Sequence, residues 1–340
     1  MPKVSVIIAA YNSENRIMKT VESVLKQTFS DFEIIIVNDA SRDNTADVLN
    51  SIKDKRVKVI NRKENHGEAY TLNECLDNST GEYIANLNDD DLFYPEKLER
   101  QVFFMDNNPG VVLCGTLSDT IVDGHLMQCN TKQHFLSTMQ RRFSLPFCIN
   151  HIVHSSYMMR GSTIRDNQIR HLQDRNYAFD ISLQVEMSKY GEIYVLPEKL
   201  VAIAQRQDQL TNTIDRKAKN EQATLVMRDA IRNISADDGI KQALFKGAVG
   251  LLKDKNDYVA FFDAFEEWGL LCGLGKEKTD SDFERSVFME VLSRQYMKPD
   301  NVLMLNGAKG LFKLNKVGIR FLAKSLLRYN KYWKETEIVL

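Results

Sequence analysis

The run Val4-Ser-Val-Ile-Ile-Ala-Ala10 restricts the fold more than any other stretch, because a strand without a polar face has to be covered on both sides. Phe32 to Val37, Val57 to Ile60 and Tyr83 to Leu87 repeat the pattern. Between these runs lie helical segments with one apolar side. Ile17, Val21, Val24 and Leu25 follow Ser13, a potential helix cap, and Val48, Leu49 and Ile52 follow the second run. Leu72 and Leu76 follow Gly67, and Ser79-Thr80-Gly81 ends that segment. Strand and helix alternate at the spacing of βαβ units, which predicts an α/β fold with a doubly wound, mostly parallel sheet over roughly the first 115 residues.

The fourth run ends in Asn88-Asp89-Asp90-Asp91, followed by Leu92, Phe93 and a helix opened by Pro95. Adjacent carboxylates repel one another and are poor strand formers, so their place at a strand's carboxyl end points to a cation or ligand in the crevice there. A solvated acidic turn is the plain alternative. The first strand-to-helix turn, Ala9 to Glu14, has no glycine, which excludes the Gly-x-Gly-x-x-Gly dinucleotide loop, and no Walker loop occurs. Phosphates would then be neutralised by a cation held on the acids.

At 340 residues the chain is long enough for one large domain with an extension, or for two. We place a boundary near 213: residues 1–213 form the α/β part, divided into 1–115 and 116–213, and 214–340 read as a helical carboxy-terminal domain. Lys and Arg total 45 against 46 acids, a balance with no long-range attraction to nucleic acid. Five scattered cysteines without a Cys-x-x-Cys pair suit a reducing compartment and argue against a zinc site. The amino terminus lacks the charge and apolar run of a signal peptide, and no run of about 18 apolar residues occurs, so the expected location is the cytoplasm or the inner face of a membrane.

Several segments together resemble the family 2 glycosyltransferases of the GT-A fold. They are Val4 to Asn12, Ile35-Ile-Val-Asn-Asp39-Ala-Ser41, Asn65-His-Gly67 with Leu72-Asn73, Gly81-Glu-Tyr-Ile84 and the acidic run, in order over about 210 residues. The resemblance implies an inverting enzyme that moves a hexosyl or N-acetylhexosaminyl group from a nucleotide sugar, a UDP sugar above all, to a glycan or lipid-linked acceptor. It places Ala10, Tyr11, Asn12, Asp39, Asn65, Gly67, Asn88, Asp89 and Arg206 on the donor, with Asp39 reading the imide N–H of uracil; a helix cap for the following turn is its compatible alternative. It puts Mn²⁺ or Mg²⁺ on Asp90 and Asp91. Asn88 stands where the family usually has the first acid of Asp-x-Asp-Asp, and Arg206 where relatives often carry a histidine. An arginine cannot ligate a metal, but its fork suits a diphosphate.

Ala178-Phe-Asp180 and the amphipathic stretch to Tyr190-Gly191 resemble the family's Glu-Asp segment, which makes Asp180 the catalytic base, with Asp174 as a rival and an ordinary helix cap as the alternative. His151, His154 and Arg160 fall where relatives line the acceptor side. Residues 311–334 carry seven Lys or Arg and no acid, with a separate apolar stripe, so they read as a helix for an anionic membrane surface or for packing on the domain. The other carboxy-terminal helices read as a bundle core or an interface between copies. Two further readings compete: a sugar nucleotidyltransferase, which would want a glycine-rich basic first loop, and a non-catalytic nucleotide-sugar binder.

Overall fold

A computed structural model describes residues 1–122, 125–127, 137–148, 152–175, 178–206, 216–249, 251, 255–274, 287 and 291. They divide into two compact units, one of residues 1–141 and 150–226, the other of 142–149 and 227–340.

The first unit begins with β1 (Val4–Ala10), α1 (Ile17–Leu25), β2 (Phe32–Asn38), α2 (Thr45–Asn50), β3 (Val57–Asn61), α3 (Glu68–Asn78) and β4 (Tyr83–Asn86). Then come β5 (Leu92–Phe93), α4 (Lys97–Asn107), β6 (Val111–Val122), β7 (His125–Met127), α5 (Thr138–Ser144), β8 (Met158–Arg160), α6 (Gly161–Asp166), α7 (Phe179–Met187) and β9 (Glu192–Gln205). The sheet runs β3-β2-β1-β4-β8-β6-β9-β5, with β7 on β6. The first four strands pair in parallel and β9 runs parallel to β6, whereas β5, β7 and β8 run antiparallel to their neighbours. The sheet is therefore mixed but mostly parallel.

Val6, Ile8, Ile34 and Ile36 from β1 and β2 and Ile17, Val21 and Val24 from α1 are all fully buried in one core. Each such side chain contributes about 1.5–3 kcal/mol on leaving water. Strands β6, from Val111 to Val122, and β9, from Glu192 to Gln205, are the longest of the described sheet. These two pair along their length, with the partner of β6 jumping from Leu196 to Lys199. Pro197 lies in that jump, and a residue without an N–H suits an interruption of the ladder. Ser13 is not a side-chain cap of α1: its carbonyl accepts from the N–H groups of Arg16 and Ile17, and no side chain caps the helix.

Helices α8 (Arg216–Arg232), α9 (Asp238–Ala248) and α10 (Lys255–Leu271) follow. In the second unit Phe261 and Phe265 of α10 pack edge-on, and Phe265 meets Phe143 at 4.8 Å between centroids. Trp268 donates its indole N–H to the Phe143 carbonyl at 3.2 Å. Gly247 of α9 lies so near the Phe261 ring that a Cβ there would overlap it. Among the described residues no helix is long and apolar enough to cross a membrane.

Candidate active site

The loops after β1 and β2 are tied to each other. Asn12, in the left-handed region at φ 47°, donates its N–H to Ser41 Oγ at 2.9 Å and accepts from Arg42 N–H at 2.8 Å through Oδ1. Ala40 is also left-handed, at φ 54°. Two non-glycine residues held this way mark a strained rim at the carboxyl end of the sheet. Tyr11 is exposed there, and Asn65 donates to the Asp39 carbonyl at 3.0 Å.

Asp39 caps a helix, though not the one that follows it in sequence. Its carboxylate accepts from His66 N–H at 3.0 Å and Gly67 N–H at 2.8 Å, which open α3, and pairs with Arg62 at 3.3 Å. Anchored by charge-assisted bonds, it is a rigid and nearly buried acceptor.

The consecutive aspartates carry different loads. Asp89 Oδ2 accepts from Tyr11 N–H at 3.1 Å and lies 3.7 Å from Arg16, and burial pushes its carboxyl upward. Asp90 pairs with Arg206 at 2.5 Å, so the arginine expected on the diphosphate and the acid expected on the cation hold each other. Asp91 corrects the expectation of a second metal ligand. It is 1% exposed, and its carboxylate accepts from Ala204 N–H at 2.8 Å and from Ser155 Oγ. Both oxygens are engaged in tying the acidic loop to β9 and to the short turn His154–Ser156, and burial followed by repulsion from Asp90 raises its carboxyl.

Asp180 lies in the first turn of α7, and its backbone carbonyl accepts from the Tyr157 hydroxyl at 3.2 Å. Gln184, one turn on, donates to that hydroxyl at 2.5 Å. Phe179 turns its ring inward against His154 and His171, at centroid distances of 5.3 and 5.5 Å. Asp174 pairs at the surface with Arg175.

Glu68, the first residue of α3, was missed in the sequence, where it reads as an ordinary acid in a helix's first turn. Its carboxyl is pushed up to about 8 by burial and by repulsion from Asp89, Asp180, Asp90 and Asp91. One side chain thus lies within electrostatic reach of both the acidic run and Asp180, acids that are distant in sequence.

The acceptor-side expectations fare differently. His151 lies outside the described residues. His154 is buried, 3.0 Å from Asn86 Nδ2 and 3.3 Å from Asn88 Oδ1 through Nδ1, and desolvation holds it neutral. Arg160 pairs in register with Tyr83 at the amino end of β4, opposite the end that leads into the acidic run. Its guanidinium donates to the carbonyls of Val111, Met105 and Asn108, which makes it a clamp between α4 and β6.

Among the described residues no three His, Cys, Asp or Glu side chains are gathered as a metal cage. Hard divalent cations in phosphate-transfer sites commonly take one or two carboxylates and complete their shell with substrate phosphates and water. Asp90 fits that donor set; Asp91 does not.

The description of glycosyl transferase family 2 matches residues 5–164. A glycosyltransferase of Haemophilus influenzae is 30% identical over 238 residues, covering 68% of this chain and 73% of the relative. UDP-Glc:alpha-D-GlcNAc-diphosphoundecaprenol beta-1,3-glucosyltransferase WfaP of Escherichia coli is 44% identical over 106 residues, 31% of this chain and 42% of WfaP. In fold, the chain is similar to TarS 1-349 of S. aureus solved with UDP-GlcNAc, with a TM-score of 0.60 at 18% identity over 87% of this chain and 93% of that one. Fold and cleft define a glycosyltransferase enzyme of the GT-A type. The chain belongs to glycosyl transferase family 2.

Proposed function

We propose that this enzyme transfers a hexosyl or N-acetylhexosaminyl group from a UDP sugar to a hydroxyl of a glycan or lipid-linked acceptor, with inversion at the anomeric carbon. The observation that carries the reading is that the acidic run and α7 are tied to one short stretch of chain, Asp91 to Ser155 Oγ and the Asp180 carbonyl to the Tyr157 hydroxyl. UDP is favoured because Asp39 is a fixed acceptor suited to an imide N–H, and because WfaP is named for UDP-Glc and TarS was solved with UDP-GlcNAc. The lipid-linked acceptor follows WfaP's printed substrate. Residues 311–334, outside the described part, would supply seven basic side chains to an anionic membrane on the cytoplasmic side.

In the reaction, the acceptor oxygen forms a bond to the anomeric carbon while the bond from that carbon to the diphosphate oxygen breaks. The departing electron pair stays with the diphosphate, and the hydroxyl proton passes to Asp180. Arg206 places two N–H donors on the leaving group once the donor competes it away from Asp90. A Mg²⁺ or Mn²⁺ ion, held by Asp90, would supply positive charge to the same group.

Asp180→Asn tests the base. It is expected to bind the UDP sugar as wild type does and to lose at least about 100-fold in transfer, at the low end of general-base contributions. Transfer at the wild-type rate in that variant would remove Asp180 from the mechanism.

A further inference from the structure

The end of β9 is fastened to the acidic loop at two points. Ala204 N–H donates to Asp91 Oδ1 at 2.8 Å, and two residues on, just past the strand, Arg206 places Nη1 2.5 Å from Asp90 Oδ2. Asp91 gives its other oxygen to Ser155 Oγ, and Asp89 Oδ2 takes Tyr11 N–H with Arg16 3.7 Å away. The sheet itself therefore delivers Arg206 to Asp90. The Asp90 side chain is 8% exposed and that of Arg206 30%, so of the two the arginine is the one open to exchange.

A nearly buried carboxylate with an acid on either side in sequence needs a positive partner, because an unpaired charge away from water is costly. A guanidinium or a divalent ion can fill that need. Both together cannot, since two positive charges brought onto one carboxylate out of bulk water repel strongly. An arginine has no lone pair to offer a metal, so Arg206 meets the ion only as a rival. The diphosphate changes the balance. It gives the guanidinium fork oxygens to bind in place of Asp90, and it gives the ion phosphate ligands in addition to Asp90.

We infer that Arg206 and the divalent cation exclude each other on Asp90, and that Arg206 thereby couples the two ligands: the donor's diphosphate draws the arginine onto itself and opens Asp90 to the ion. The inference rests on the nucleotide-sugar and cation readings above and concerns how the two ligands assemble. Without donor the protein holds the ion weakly, and donor and ion strengthen each other's binding by the same factor, as linkage requires. Part of that mutual gain comes from contact between ion and phosphate in any such site. The part that belongs to Arg206 is its rivalry for Asp90, which shows in protein without nucleotide.

The test is Mn²⁺ binding to the full chain, followed by electron paramagnetic resonance of the free ion with and without UDP, for wild type, Arg206→Ala, Arg206→Gln and the double variant Arg206→Gln with Asp90→Asn. Thermal unfolding of each in EDTA and in Mn²⁺ accompanies it. Arg206→Gln keeps a neutral donor for Asp90 and so guards against misfolding. Without UDP, both single variants should bind Mn²⁺ at least about tenfold more tightly than wild type, and the double variant should lose that gain. Mn²⁺ should raise the unfolding temperature of the single variants by more than that of wild type. The factor by which UDP raises Mn²⁺ affinity should be smaller in both single variants than in wild type. A merely structural arginine would lower stability without raising Mn²⁺ affinity. Equal Mn²⁺ affinity in nucleotide-free wild type and both single variants, or a gain that survives Asp90→Asn, would overturn the inference while leaving the cation reading in place. If wild type binds UDP but no Mn²⁺ with it, the cation reading falls and this inference with it; if it binds no UDP, the nucleotide reading falls and takes both along.

Discussion

Asp91 and Asp90 are neighbours with opposite tasks, and substitution should separate them. Asp91→Ala leaves Ala204 N–H and Ser155 Oγ without their acceptor in a site that is 1% exposed. Each buried group left unpaired costs about 1–3 kcal/mol, so the urea midpoint should drop at unchanged slope. Asp90→Asn should leave that midpoint near wild type and weaken Mn²⁺-dependent UDP binding instead. Lys97 makes a second case at this scale. It is fully buried, donates to Gln101 at 2.7 Å, lies 3.9 Å from the Phe93 ring centroid, and burial lowers it to about 7. A lysine depressed in the folded state adds stability that is present above its unfolded value near 10.4 and is lost as pH falls toward the folded one. Wild type should therefore gain on the order of 2 kcal/mol more than Lys97→Met between pH 7 and pH 9.5, measured by urea unfolding at both. Equal gains would mean that Lys97 is charged in the fold throughout.

At the scale of elements, the proposed base is held by a joint between α7 and the strand-leading turn at His154–Ser156. Tyr157 is completely buried, and its hydroxyl binds the Asp180 carbonyl at 3.2 Å and Gln184 at 2.5 Å. Tyr157→Phe removes both bonds while keeping the ring that packs edge-on against His154. Turnover should fall several-fold with UDP affinity unchanged, because only the aim of α7 is loosened. The strands of the parallel half were legible because two-sided burial leaves an apolar run. The lengths of β6 and β9 were not, since Ser118, Asp119 and Lys199 interrupt the pattern and only their mutual pairing makes them strand. Arg160 misled for a related reason: register, invisible in sequence, puts it opposite Tyr83 and away from the acidic loop. Glu68 was hidden because a first-turn acid is ordinary in any helix, and only the fold brings it within electrostatic reach of the acidic run and Asp180.

For the whole molecule, a near-neutral chain with net charge −1 places three consecutive acids, Asp89, Asp90 and Asp91, after β4 and within electrostatic reach of Glu68, as is Asp180. An anionic donor cannot enter such a place without compensating charge. Arg206 and Arg16 are sources the fold offers, and the proposed cation would add to them. The most direct measurement is a crystal structure of the full chain with a UDP sugar and Mn²⁺. The expected density places uracil against Asp39, the diphosphate by Asp90 and Arg206, and the anomeric carbon open to Asp180. Nucleotide bound away from Asp39 and Asp90, or Asp180 facing away from the sugar, would contradict it.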